Sequence, residues 1–138
     1  MIELYTDGAC SPNPGLGGWG ASFDYNNKTY NIYGYEEHTT NNRMEMISVI
    51  EGLKTILFVT NEKEVTVYSD SQYVVSTMTC GWKKNKNIDL WSDLDSLCKE
   101  LNITWIWVKG HASNPRNNLC DELAVNARLH KVKQNYYS

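Results

Sequence analysis

The chain has 138 residues, of which 41% are hydrophobic and 21% charged, with a formal net charge of −3. These values are typical of one ordinary globular domain, and the longest apolar runs, TILFV and ITWIWV, are far too short to cross a bilayer. The first residues lack the basic and then apolar pattern of a secretion signal, so we expect a cytoplasmic protein that works away from membranes.

The cysteines argue against a structural metal or a disulfide framework. There are four, and no two have the close spacing of a zinc site: Cys10, Cys80, Cys98 and Cys120. We expect buried or free thiols in a reducing compartment.

Strands are predicted for most of the first third of the chain. Residues 2–10 (IELYTDGAC) form an apolar strand, followed by the loop SPNPGLGG at 11–18. The next strands are WGASFDY at 19–25 and the run to residue 36, joined by a hairpin turn at Asn26 and Asn27. Consecutive strands of this kind predict an antiparallel meander.

The apolar spacing then changes to that of a helix over residues 42–58. Thr40, Asn41 or Asn42 is expected to cap its start, which would place Glu45 in the first turn. Four apolar side chains are predicted to share one face: Met46, Ile50, Leu53 and Leu57.

Strands and helices alternate in the rest of the chain. We predict a strand at 64–70 (EVTVYSD), a short helix at 71–79 that ends before Gly81, and a basic loop, WKKNKN. A second amphipathic helix follows at 88–101, then a buried strand (ITWIWVKG), a polar loop and a helix at 119–130. The apolar positions of the second amphipathic helix are Ile88, Trp91, Leu94, Leu97 and Leu101.

This order, β-β-β-α-β-α-α-β-α, predicts an α/β fold. We expect a five-stranded mixed sheet, with a three-strand antiparallel meander and two parallel strands, flanked by helices. The chain is predicted to be a single domain over 1–138, with 131–138 as a flexible basic and aromatic tail.

Two strands end in aspartates, Asp7 after Tyr5-Thr6 and Asp70 after Tyr68-Ser69. A buried carboxylate is costly unless it is paired or bound to a metal, and sites in open α/β sheets form at the carboxyl ends of parallel strands. Glu45 and Asp121, predicted near the starts of two helices, could join them, and four carboxylates suffice for two Mg²⁺ ions. Alternatively, each acid alone simply caps a helix or ends a strand.

Five blocks of the sequence together resemble ribonuclease H, type 1: YTDGACSPNPGLGGWG, TTNNRMEM, YSDSQYV, NIDLW and WVKGHASNPRNNLCDELA. They stand in the family's order and cover most of residues 3–125. The resemblance implies that the protein cleaves the RNA strand of an RNA/DNA hybrid by a two-metal-ion mechanism, leaving 5′-phosphate and 3′-hydroxyl ends.

The resemblance also implies a set of site residues. The cofactor would be two Mg²⁺ ions, with Mn²⁺ as a substitute, and Asp7 would bridge them. His111 matches the family's catalytic-loop histidine, which handles protons or assists product release. The implied metal ligands are Asp7, Glu45, Asp70 and Asp121.

Substrate contacts are implied in the same way. A protein distinguishes RNA from DNA through the 2′-hydroxyl, which amide side chains can both donate to and accept from. Thr40 and Asn87 resemble positions that hold a phosphate of the DNA strand. Trp82 resembles a position that packs against a DNA sugar. The positions that resemble RNA-strand contacts are Gly8, Cys10, Asn13, Asn41 and Gln72.

The chain departs from many bacterial members of the family between its second and third predicted helices. They carry a long basic protrusion there, whereas only MTCGWKKNKN joins the two helices here. Fewer phosphates would then be neutralised, which puts hybrid affinity in doubt. We predict that the lost phosphate contacts are compensated by the C-terminal tail and by Lys83, Lys84 and Lys86. The net charge of the chain becomes −3 + 4 = +1 once the four site acids are set aside.

Two other interpretations stay open at this stage. One is another nuclease of the same superfamily, such as a junction resolvase or a transposase-like domain, although NNRME and KGHASNP favour the type 1 ribonuclease. The other is a hybrid-binding module with little activity. We expect a monomer that needs no protein partner.

Overall fold

The computed structural model describes residues 1–109 and 114–137. Five strands and four helices follow one another in these residues, in the order predicted from the sequence. The elements are β1 (Ile2–Cys10), β2 (Gly15–Tyr25), β3 (Lys28–Thr39), α1 (Asn41–Val59), β4 (Glu64–Ser69), α2 (Gln72–Cys80), α3 (Ile88–Glu100), β5 (Asn102–Trp107) and α4 (Pro115–His130).

The strands form one mixed sheet in the order β3-β2-β1-β4-β5. The first three pair antiparallel, and β4 and β5 extend the sheet in parallel to β1, as predicted. Asn26 and Asn27 both have positive φ (51° and 63°) in the turn between β2 and β3, which confirms the predicted hairpin.

Helices cover the two faces of this sheet. Helix α1 packs on β1 and β2 and contacts α2 and α3, whereas α4 packs on β1, β2 and β3. Gly8 faces α1, and Gly18, which pairs with the next residue of β1, faces α4, so α1 and α4 lie on opposite faces. The apolar core lies beneath α1 and α3 and includes Leu4, Phe23, Ile32, Met44 and Trp91.

Strand β2 begins at Gly15, whereas the sequence predicted a loop through residue 18. The glycines that suggested a loop serve close packing instead. A Cβ on Gly18 would lie 2.0 Å from the carbonyl oxygen of Ala124 in α4. Helix α4 also begins earlier than predicted, at Pro115, because Asn114 caps it by accepting hydrogen bonds from the N–H groups of Arg116 and Asn117.

The burial predicted for the fifth strand was wrong, and the apolar face of α3 is buried over fewer residues than its spacing suggested. Strand β5 was expected to be buried, but it is an edge strand, and Ile106 and Trp107 are 38% and 45% exposed. Ile88 is 65% exposed, because it is the first residue of α3 and lies beyond the core that the rest of its apolar face contacts.

The C-terminal tail lies along β3. Gln134 exchanges two backbone hydrogen bonds with Tyr33, at 2.9 and 3.2 Å. Tyr136 packs edge-on against Tyr30 at 5.1 Å, and the hydroxyl of Tyr137 donates to Glu51 on α1. These contacts fix the path of residues 134–137 across the outer strand. The single-domain boundary and the mobility of this tail stay predictions.

All four cysteines are free thiols, as expected. Within residues 1–109 and 114–137, no helix has the length and apolar character needed to cross a membrane.

Candidate active site

Three carboxylates from three different elements meet at the carboxyl end of β4. Asp7 lies in β1, Glu45 in α1, and Asp70 directly after β4. One oxygen of each lies within 4.8 Å of the other two, and Asp7 and Glu45 are only 6% and 7% exposed. Asp121, from α4, lines the same open cleft of about 420 Å³. All four acids therefore line one cleft, and the carboxylates of three of them, Asp7, Glu45 and Asp70, lie next to one another.

The register of the sheet explains the meeting of the two aspartates. Thr6 of β1 pairs with Ser69 of β4, so Asp7 and Asp70 follow at the same level of adjacent parallel strands. Glu45 reaches them because Gly8 lets α1 approach β1. A Cβ on Gly8 would lie 2.4 Å from the carbonyl carbon of Met44. Gly8 also donates its N–H to the carboxylates of Glu45 and Asp7, the latter at 2.9 Å.

Two acids lie deeper along their helices than predicted. Glu45 was expected in the first turn of α1, but the helix begins at Asn41, so Glu45 lies in the second turn. Asp121 likewise lies in the second turn of α4, because that helix begins at Pro115.

The electrostatics of the cluster disfavour the simultaneous ionisation of all its members. Burial raises the pKa of Asp7 from 3.8 to about 7, and the charges of Asp70 and Asp121 add to this effect. Burial, followed by the charges of Asp7 and Asp70, raises the pKa of Glu45 well above its usual range. A cluster of this kind holds protons near neutral pH or is neutralised by a cation.

The donor set fits a divalent cation. It consists of carboxylate oxygens alone, which are the ligands that hard ions such as Mg²⁺ and Mn²⁺ prefer. The three ligand atoms are already close together, and the two most buried carboxylates face each other rather than a basic side chain. Divalent metal use is therefore the chemistry to which this cleft is suited.

Three predicted RNA-contacting residues form one hydrogen-bonded group at the start of α1. Cys10 donates its N–H to Oδ1 of Asn41 at 2.6 Å, and Asn41 donates its N–H to Oδ1 of Asn13 at 3.2 Å. Gly8, Asn41 and Gln72 line the cleft beside the carboxylates.

The residues predicted to hold the DNA strand lie at the start of α1, directly before α3, and on the connection between α2 and α3. Thr40 caps α1 by accepting from the N–H of Arg43, at 3.2 Å. Asn87 has positive φ (56°) before α3, accepts from Arg43 and donates to the hydroxyl of Tyr73. Trp82 is 50% exposed on the connection that follows α2. His111 lies outside the described residues.

Sequence reasoning missed three residues that organise this region. Arg43 links Thr40 to Asn87 and also forms a paired contact with Asp89, at 2.9 and 3.0 Å. The Tyr73 hydroxyl accepts from Asn87 and from Trp91. Trp107 donates its indole N–H to the backbone of Asp70. All three residues belong to blocks that carry the family resemblance, namely NNRME, SDSQY and WVKGHASNP, but nothing local in the sequence signals the contact of Trp107 with Asp70.

An α/β sheet with carboxylates gathered at the ends of its central parallel strands is typical of metal-dependent enzymes that act on phosphate esters, and comparisons with known proteins narrow the class to nucleases. The family model "RNase H" matches residues 1–128. A ribonuclease H from Thermoanaerobacter sp. (strain X514) is 45% identical over 149 aligned residues, which cover 98% of this chain and 94% of the relative.

Solved structures give the same picture. LC9-RNase H1, described as a type 1 RNase H with the type 2 active-site motif, superposes with a TM-score of 0.84 at 27% identity, covering 96% of this chain and 74% of that one. LC11-RNase H1, solved in complex with an RNA/DNA hybrid, has a TM-score of 0.81 at 24% identity, with 94% and 98% covered. The latter likeness concerns the fold alone.

The chain belongs to the ribonuclease H family. It is accordingly an enzyme, a metal-dependent nuclease of the ribonuclease H type.

Proposed function

We propose that this protein is an endoribonuclease that hydrolyses the RNA strand of RNA/DNA hybrids with two divalent metal ions, leaving 5′-phosphate and 3′-hydroxyl ends. The observation that carries the proposal is the meeting of Asp7, Glu45 and Asp70 within 4.8 Å in a chain of this family. The hybrid bound to LC11-RNase H1, which shares the fold, supports the choice of substrate.

The proposed metal ligands are Asp7, Glu45, Asp70 and Asp121, with Mg²⁺ as the ion and Mn²⁺ as its substitute. When bound, a pair of such ions stabilises the attacking and the leaving oxygen of a phosphodiester as Lewis acids. Asp7 is the candidate for the shared ligand, because one of its carboxylate oxygens lies within 4.8 Å of oxygens of both Glu45 and Asp70, and Asp121 lines the same cleft. Gly8 keeps two of the carboxylates in place through its N–H.

The RNA strand is proposed to lie over Asn13, Asn41, Gln72 and the backbone of β1. The N–H groups of Gly8 and Cys10 are used within the protein, so contacts from these two residues to a 2′-hydroxyl would use their carbonyl oxygens. Exposed Gln72 supplies both a donor and an acceptor beside Asp70. A 2′-hydroxyl both donates and accepts, so this set favours RNA over DNA.

The DNA strand is proposed to rest on Thr40, Asn87 and Trp82. Arg43 fixes the first two relative to each other, and this arrangement leaves a hydroxyl and an amide near the positive end of α1 for a phosphate. Trp82 presents an apolar surface suited to a sugar. His111 is proposed to handle protons or assist product release, and the protein is proposed to be a cytoplasmic, single-domain monomer.

An end-labelled RNA strand annealed to DNA, incubated with the protein in Mg²⁺, tests the proposal. We expect cleavage of this hybrid and of none of three controls: single-stranded RNA, duplex RNA and duplex DNA. Asp70→Asn should abolish cleavage while hybrid binding survives. Asp93→Asn removes the same charge from the exposed surface of α3 and should leave activity intact.

The outcomes separate the alternatives. Binding without cleavage in Mg²⁺ or Mn²⁺ would support the hybrid-binding module and overturn the proposal. Product ends are read by their response to phosphatase and to ligase, since only a 5′-phosphate permits ligation without prior phosphorylation. Products with 3′-phosphates would contradict the proposed end chemistry.

A further inference from the structure

Asp70 is the most loosely supported of the three adjoining carboxylates. Asp7 lies inside β1 and Glu45 inside α1, and Gly8 bonds to both. Asp70, in contrast, is the single residue between the last residue of β4 and the cap of α2, and it is only partly buried. Repulsion from Asp7 and Glu45 acts on it whenever the cluster is ionised.

Hydrogen bonds from the end of strand β5 hold the backbone at Ser69 and Asp70. The indole Nε1–H of Trp107 donates to the backbone carbonyl of Asp70 at 3.1 Å. The N–H of Val108 donates to the carbonyl of Ser69 at 2.9 Å, and the N–H of Ser71 donates to Oγ of Ser69 at 3.1 Å. Hydrogen bonds therefore fix the backbone on both sides of Asp70, and Trp107 makes the bond to Asp70 itself.

Core packing does not account for the position of Trp107. Its side chain is 45% exposed at the end of an edge strand, yet the one polar atom of that side chain contacts the backbone of Asp70, a proposed metal ligand. A phenylalanine would keep an aromatic ring at this position without the donor. The N–H group, rather than the ring, is the part of this residue that bears on the site.

We propose that Trp107 is a positioning residue, whose indole N–H holds the backbone of Asp70 so that its carboxylate stays in the metal-binding cluster. This inference rests on the proposed role of Asp70 as a metal ligand. It assigns no contact between Trp107 and substrate or metal.

Trp107→Phe tests this inference, with Mn²⁺ alone as the probe, titrated by calorimetry in the absence of nucleic acid. Loss of one hydrogen bond should weaken Mn²⁺ binding by roughly fivefold. On hybrid, kcat should fall by a similar factor with KM unchanged, and the loss should be partly restored at high Mn²⁺. Trp105→Phe, on the same face of the same strand, is the matched control and should bind Mn²⁺ like the wild type.

Equal Mn²⁺ affinity in Trp107→Phe and the wild type would overturn the inference, and so would equal weakening in the two tryptophan variants. If Trp107→Phe lowers stability on its own, β-(3-benzothienyl)alanine at position 107 replaces the N–H with sulfur in a ring of the same size and isolates the donor. Because Mn²⁺ binding is measured without hybrid, a failure of the proposed function, seen as absent hybrid cleavage by the wild type, remains distinguishable from a failure of this inference.

Discussion

Asp7 combines burial with a position beside two other acids, and this has a measurable effect on stability. Without divalent metal its pKa is about 7 in the folded protein and near 3.8 in the unfolded chain. Between these values the folded state binds more protons than the unfolded state. The free energy of unfolding must therefore fall as pH rises from about 4 to about 7.

We expect wild-type protein in EDTA to lose on the order of 2–4 kcal/mol of stability between pH 4.5 and pH 7.5 from this group. Asp7→Asn keeps the side-chain volume but cannot ionise, so its stability should depend less on pH. Urea denaturation at several pH values measures both proteins. Mg²⁺ at pH 7.5 should stabilise the wild type more than the variant. Parallel pH profiles for the two proteins would contradict the assignment.

The four acids could be identified from the sequence because the blocks around them together resemble one family, whereas each acid alone could equally have capped a helix or ended a strand. Asp7 and Asp70 end apolar strands, and Glu45 and Asp121 occur in helices whose periodicity is clear. The hydrogen bond of Trp107 could not be predicted, because it depends on the pairing of Ser69 with Trp107 across two parallel strands. That register is set by tertiary packing.

Helix α4 is positioned by glycines rather than by large apolar side chains. Gly18 and Gly20 of β2 face it, and a Cβ on either would meet backbone atoms of α4 within 2.0–2.7 Å. The sequence suggested a loop at Gly18, but not at Gly20, because a cluster of glycines is typical of turns. The approach of α4 makes glycine favourable at both positions of the strand, and this contact brings Asp121 to the cleft.

Gly18→Ala should force α4 away from the sheet, because the new methyl group would lie 2.0 Å from the carbonyl oxygen of Ala124. We expect a loss of roughly 2–3 kcal/mol in the free energy of unfolding, together with lower kcat as Asp121 is displaced. Gly81→Ala is the control for a loss of stability alone. Its φ of +69° strains an alanine, but nothing lies within 4 Å of the added Cβ, so no neighbouring element should be displaced. A stable Gly18→Ala protein with normal kcat would show that α4 can shift without cost to the site.

The exposure of β5 marks a second limit of sequence reasoning at the level of elements. Its apolar run predicted a buried strand, but the burial of a strand depends on whether it has neighbouring strands on both sides in the sheet. The order β3-β2-β1-β4-β5 leaves β5 at the edge, and one sequence does not fix that order. The types of the elements and their order along the chain were predictable from periodicity. Whether a strand lies at the edge or in the centre of the sheet is decided by the arrangement of all five strands.

For the molecule as a whole, the distribution of charge matters more than its sum. The net charge is −3, yet the acids that contribute to it include the four gathered at the cleft. On the short connection between α2 and α3, Lys84 is paired with Asp95 at 2.9 Å and lies over the ring of Trp91. Lys83 and Lys86 are exposed on the same connection and are the better candidates for contact with phosphates of the hybrid.

Each of Lys83→Ala and Lys86→Ala should raise KM for hybrid, with little change in kcat, because only ground-state binding to phosphate is lost. The slope of log K against log salt concentration should become shallower by about 0.7–0.9 for each contact removed. Lys63→Ala is the matched control, since Lys63 precedes β4 and so lies at the opposite end of the strand from Asp70. Fluorescence anisotropy with labelled hybrid from 50 to 300 mM salt, in Ca²⁺ to prevent turnover, provides the slopes. Identical slopes for all four proteins would mean that the connection between α2 and α3 does not replace a basic protrusion, and that hybrid affinity arises from the cleft residues alone.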